Sequence, residues 1–114
     1  MTINVTQFGR RSITGTAAVT AGTTQTLAGA TPITAAITSV TTGNANDGVA
    51  LPTGCVFGDE VVLFNLSAVA LKVWPPAAGQ VNGATAGAAH VHAASKPGTY
   101  MSIGNESWMT ILGA

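Results

Sequence analysis

An all-β fold, an antiparallel sandwich or barrel of jelly-roll-like kind, is predicted by three observations. Apolar and polar residues alternate in short runs, no stretch carries a helical repeat, and Gly, Pro and Asn punctuate the chain between the runs. The densest of these runs, residues 59–83, anchors the reading: DEVVLFNLSAVALKVWPPAAGQVNG. There Val62, Phe64 and Leu66 share one face of a strand and Val61, Leu63 and Asn65 the other. Ser67 and Ala68 can turn the chain into a second strand, residues 70–74, which gives a buried hairpin or meander. Pro75 has no amide hydrogen for a ladder and holds Trp74 extended, so that strand stops at Trp74.

Taken in order, the chain divides into an N-terminal arm, residues 1–11, and one β domain, residues 12–114. The arm carries alternating Ile3 and Val5, then Phe8 and the adjacent pair Arg10 and Arg11. Two readings stand side by side: a frayed terminus, or a segment that adds to an edge strand of a partner. Residues 12–43 are Thr, Ala and Gly with single β-branched apolar residues and no charge after Arg11. Because Thr favours strands and small side chains allow close sheet packing, residues 13–19, 24–27 and 33–41 are expected as strands, with turns at 21–22 and 28–32. No period persists well enough to indicate a solenoid.

The run GNANDG, residues 43–48, is a loop by composition, followed by a short strand at 49–51 and a turn at 52–54. Beyond the double proline, residues 80–82 and 88–94 read as strands between glycine turns. Lys96-Pro97-Gly98 turns the chain into a strand at 99–103, and Gly104-Asn105 turns it again into a strand at 107–112. Val62, Phe64, Leu66, Leu71, Val73, Met109 and Ile111 are the expected core.

Composition narrows function. Only 7% of the 114 residues are charged, and four Lys and Arg balance four Asp and Glu. Four cations cannot build a basic surface for nucleic acid. A chain without net charge has little electrostatic reason to stay apart from its neighbours, which fits an assembled protein. No apolar run reaches the ~20 residues of a membrane helix, and the start, MTINVTQFGRR, lacks the pattern of a signal peptide, so synthesis in a cytoplasm is expected. Cys55 is the single cysteine and is expected as a small buried side chain. Sequons at Asn4, Asn65 and Asn105 carry no meaning without secretion.

Few groups could carry chemistry. His90 and His92 lie two apart on a strand, where two imidazoles could share a metal, but no Asp or Glu follows between His92 and Asn105 to complete a cupin-like set. Paired interface or surface histidines are the alternative. Asp59 and Glu60 are strand neighbours that face opposite ways and cannot act together on one bond. Neither a nucleophile elbow nor a phosphate-cradling loop is present. Trp74 and Trp108 fit either a small β core or a sugar-stacking platform. No catalytic residue, cofactor, metal or small-molecule substrate is expected.

Residues 47–108 bring these turns together as Gly48-Val49-Ala50-Leu51-Pro52, then Gly58-Asp59-Glu60-Val61 through Asn65, Val73-Trp74-Pro75-Pro76, Val81-Asn82-Gly83, an Ala-rich run and a closing strand with Trp108. The pattern resembles a module of small structural proteins of tailed bacteriophages, most closely capsid decoration (cement) proteins. That resemblance implies a virion protein on the outer capsid surface, commonly trimeric, which clamps neighbouring major capsid subunits. On this reading Ile3, Val5, Phe8, Arg10 and Arg11 contact the capsid. A head or tail fibre domain binding host glycan is the alternative. The first part of the domain, residues 12–43, matches no part of the module.

Overall fold

The computed structural model describes residues 13–111, and among these every regular element is a β-strand. The strands are β1 (Thr16–Thr20), β2 (Thr31–Pro32), β3 (Ile37–Thr41), β4 (Gly48–Ala50), β5 (Glu60–Asn65), β6 (Leu71–Trp74), β7 (His90–His92), β8 (Pro97–Gly104) and β9 (Ser107–Ile111). They form two sheets, one ordered β1-β3-β5-β8-β9 and the other β2-β4-β6-β7. All-β is therefore the architecture, as expected. The expected arm, residues 1–11, lies outside the described residues.

The strand directions correct the antiparallel expectation. From β1 to β6 the chain crosses to the other sheet at every step, so each strand lies parallel to the one two places earlier: β1 with β3, β3 with β5, β2 with β4, and β4 with β6. Parallel neighbours need a crossover connection, and here a strand of the opposite sheet serves in place of a helix. The coil is uneven. Thr16 aligns with Ile37 and Ile37 with Val62, while Thr31 aligns with Val49 and Val49 with Val73. Those unequal offsets are why no repeat shows in the sequence. Only β5 with β8, β6 with β7, and β8 with β9 are antiparallel, so both sheets are mixed.

Other expectations are corrected in the same way. Residues 59–83 are not a hairpin, because β5 and β6 belong to different sheets. Residues 24–27 are bends and turns, whereas β2 falls inside the expected turn at 28–32, held by Thr31 Oγ1 donating to Thr20 O at 2.6 Å and Ile33 N–H to Ala50 O at 2.9 Å. Residues 80–82 make one parallel bridge, Val81 with Trp108, instead of a strand. Asn82 fixes it, since Thr110 N–H donates to Asn82 Oδ1 at 2.8 Å and Asn82 Nδ2 donates to Thr110 Oγ1 at 2.9 Å.

One core lies between the sheets. Val40, Val61, Leu63, Tyr100 and Trp108 enter from the first sheet and Val49, Leu71 and Val73 from the second. Of the expected core, Leu71 and Val73 are buried, but Phe64, Leu66 and Met109 are exposed and Val62 and Ile111 are half-buried. Strand β5 thus turns the face with Val61, Leu63 and Asn65 inward. Phe64 is 39% exposed, Leu66 is 62% exposed and Asn65 only 1%.

The polar Asn65 is inside because the structure satisfies it. Its amide nitrogen donates to Val69 O at 2.9 Å and Ala93 O at 3.1 Å, and its side-chain oxygen accepts from Ser67 N–H at 3.0 Å. It thereby ties the β5–β6 connection to the β7–β8 connection. A buried amide left without such partners costs about 1–3 kcal/mol, so the pairing selects which face of β5 turns inward.

Candidate functional site

The predicted contact residues Ile3, Val5, Phe8, Arg10 and Arg11 lie outside the described residues. The remaining candidates are placed by the sheets.

His90 and His92 both lie beside Tyr100, with ring centroids 5.8 and 5.9 Å from its ring. His92 is fully buried, with Nε2 2.8 Å from Lys96 O and Nδ1 2.7 Å from the Tyr100 hydroxyl. A carbonyl only accepts, so Nε2 carries the proton and Nδ1 accepts from Tyr100. Both imidazole nitrogens are thus engaged, and the ring acts as a strut between β7 of one sheet and β8 of the other. Among the described residues, no group of three or more His, Cys, Asp and Glu side chains gathers as a metal site.

Burial lowers the His92 pKa below its ordinary 6.5; the Lys96 carbonyl pulls it up, and charge on His90 pushes it further down. Burial also raises the Tyr100 hydroxyl, which keeps it a donor. An unfolded His92 binds its proton at higher pH than the folded one. The stability supplied by neutral His92 is therefore complete above pH 6.5 and is lost as pH falls through the window beneath that value. Denaturant titrations between about pH 7.5 and 5.5 should show falling stability, with a shallower slope for His92→Gln. A wild-type stability that is flat or rises over that range would contradict this assignment.

Asp59 is buried and Glu60 half-buried on the opposite face, so the adjacent carboxylates do not converge. The Asp59 carboxylate accepts from Val56 N–H at 3.0 Å and so shapes a turn. Cys55 is buried, as expected. Trp108 is fully buried, while Trp74 is half-buried, with Lys72 Nζ 6.0 Å from its ring centroid. The Trp74 Nε1 atom is enclosed, and a Cβ built on neighbouring Gly48 would come within 2.8 Å of it.

Three surface features stand out instead. The first is the outer face of the five-stranded sheet, where register sets Ile37 beside Val62, Thr99 and Ile111, and Glu60 beside Met101 and Met109. Phe64 follows in the next row, between Ser39 and Pro97. Ile37, Phe64 and Met109 are each about 40% exposed there, and Glu60 is the one charge in these rows. The second is the Val56-Phe57-Gly58-Asp59 turn, whose first two side chains are 62% and 73% exposed. The third is an open groove of about 600 Å³ walled by Ile13, Leu27, Pro32, Leu51, Pro52 and Pro76 among others.

Sequence reading missed all three. Strand alternation places Phe64 and Met109 inward, and the short apolar pair Val56-Phe57, read only as the lead into the next strand, carries no periodic signal that would mark it as exposed. Comparison of the chain with protein-family models, with curated proteins and with solved structures gave no match.

Proposed function

We propose that this chain is a structural virion protein: a β-sandwich that decorates and stabilises a tailed-phage capsid by binding across neighbouring major capsid subunits. It is made in the bacterial host cytoplasm and acts as an oligomer on the outer capsid surface. The observation that carries this reading is the outer face of the five-stranded sheet, an apolar surface built from Ile37, Val62, Phe64, Met101, Met109 and Ile111 around one carboxylate. Contiguous apolar surface of this kind marks an interaction site.

Covering ~1,000 Å2 of such surface per subunit supplies about 25 kcal/mol gross, from which association costs of about 4–15 kcal/mol subtract. Repeated over a shell, the remainder is enough for a mechanical clamp. The fully buried ring of Trp108 and the half-buried Trp74, whose Nε1 is enclosed, support this reading over a glycan platform, which needs an open aromatic face.

Co-sedimentation with empty phage heads tests the proposal. Wild type should pellet with the shells. Phe64→Asp should stay in the supernatant; because Phe64 is only 39% exposed its melting temperature should fall, so circular dichroism at the assay temperature confirms that the variant is folded. Deletion of residues 1–11 should leave a folded oligomer that no longer pellets. Unchanged binding by the truncated protein would remove the arm from the contact, and unchanged binding by Phe64→Asp would remove the sheet face.

A further inference from the structure

A strand at the edge of a sheet carries a row of unpaired N–H and C=O groups, and among the described residues three of the four sheet edges are blunted. Along β9, Trp108 N–H donates to Gln80 O at 2.8 Å, Asn82 N–H to Trp108 O at 2.9 Å and Thr110 N–H to Asn82 Oδ1 at 2.8 Å, so residues 80–82 cover that edge. Strand β2 is two residues long and ends in Pro32, and β7 is three residues long. Strand β1 is different. Its five residues, TAAVT, include no charge and no proline, and among the described strands they pair in unbroken register with β3 alone.

Hydrogen bonds at both ends of β1 fix which of its groups face the open side. Ile37 N–H donates to Gly15 O at 3.1 Å and Ala21 N–H to Thr41 O at 3.0 Å; ladder bonds fall on alternate residues, so Ala17 and Val19 also turn their backbone groups to β3. Thr16, Ala18 and Thr20 turn theirs away, and Thr20 O accordingly accepts from Thr31 Oγ1 on that side. The side chains follow the opposite rule. Ala17 and Val19 are half-buried, with Val19 packed against the core, while Thr16, Ala18 and Thr20 are exposed. A segment that completes this edge is therefore a strand of about five uncharged residues, apolar on its inward face and polar on its outward one.

We infer that the chain's own residues 2–6, which precede the described residues, lie antiparallel along this edge as a sixth strand of the first sheet. Their sequence, TINVT, repeats the pattern of β1, TAAVT, with Thr at both ends and Val in fourth place, and β3 closes on Val40-Thr41 in the same register. Chain length sets the direction. A parallel return needs a dozen or more residues, whereas only the nine residues 7–15 join the two segments, among them Gly9 and Gly15, the latter at φ +87°. Facing sets the register. Of the alignments that turn Ile3 and Val5 inward beside Ala17 and Val19, one pairs all five residues: Thr2 with Thr20, Ile3 with Val19, Asn4 with Ala18, Val5 with Ala17 and Thr6 with Thr16. A tether this short holds the segment at a high effective concentration, which favours the edge of its own chain over that of a copy. The pairing withdraws Ile3 and Val5 from partner contact and leaves Phe8, Arg10 and Arg11 in the connection. It concerns the free chain, so its outcome is separate from shell binding.

Amide hydrogen exchange followed residue by residue by NMR on the full chain should show Thr16 and Ala18 exchanging slowly, as Ala17 and Val19 do. Asn4→Pro removes the N–H that donates to Ala18 O; in this variant Thr16 and Ala18 should exchange about 10-fold faster or more, while Ala17 and Val19 stay protected by β3. Hα–Hα contacts between Ile3 and Val19 and between Val5 and Ala17, the close pairs of an antiparallel ladder, should appear at every protein concentration. In an equal mixture of labelled and unlabelled chains, an isotope-filtered spectrum should show none of these contacts between different chains. Fast exchange at Thr16 and Ala18 in wild type, exchange unaltered by Asn4→Pro, or contacts found only between chains would each overturn the inference.

Discussion

Replacing Trp108 by Ala should lower folding stability by about 3–5 kcal/mol, a large share of the 5–15 kcal/mol that holds an ordinary domain together. The indole is the largest wholly buried side chain and comes from β9, near the end of the described chain. It closes the core from the edge of the five-stranded sheet, and its backbone carries the bridge to Val81. Alanine would leave a cavity that this framework cannot collapse to fill, because Trp108 N–H donates to Gln80 O at 2.8 Å and Asn82 N–H to Trp108 O at 2.9 Å. Among the described residues the indole N–H itself has no hydrogen-bond partner. Trp108→Phe should therefore cost markedly less than alanine, since it removes an unpartnered donor along with the volume. Denaturant unfolding of the two variants checks both statements, and an alanine cost below about 1 kcal/mol would show that the core does not depend on this ring.

Replacing Asn65 by Leu should cost about 3 kcal/mol or more, although it puts an apolar residue into the core. Leucine cannot donate to Val69 O and Ala93 O or accept from Ser67 N–H, so several polar groups lose their partner in one step. Both connections that Asn65 ties together should loosen, and hydrogen exchange should quicken at residues 66–70 and 93–96. Asn65→Asp isolates the donor half: it can still accept from Ser67 but gives nothing to the two carbonyls. A neutral or stabilising Asn65→Leu would mean that the amide does not select the inward face of β5.

That choice of face is where reading the sequence and seeing the fold diverge. Residues 61–64 are Val-Val-Leu-Phe, apolar on both faces, so alternation marks a strand without marking its inside. By local polarity Asn65 belongs on the outward face. Its partners at Ala93 and Val69 come from turns that no local pattern brings together. Once β5 is turned over, Phe64 and Leu66 pass to the surface, and the apolar sheet face and its proposed binding role appear with them. The inward Trp108 and outward Met109 on β9 follow the same logic.

Local chemistry alone was enough to determine an all-β chain, most of its turns and its lack of net charge: alternation, Thr-rich strands and Gly, Pro or Asn breaks act over a few residues. The tertiary structure alone decided the parallel coil of β1 to β6, the inward face of β5, and the meeting of the Val56–Asp59 turn with β8. These depend on contacts between segments far apart in sequence, spaced unevenly from one turn of the coil to the next, and a pattern read along the chain carries no record of such pairings.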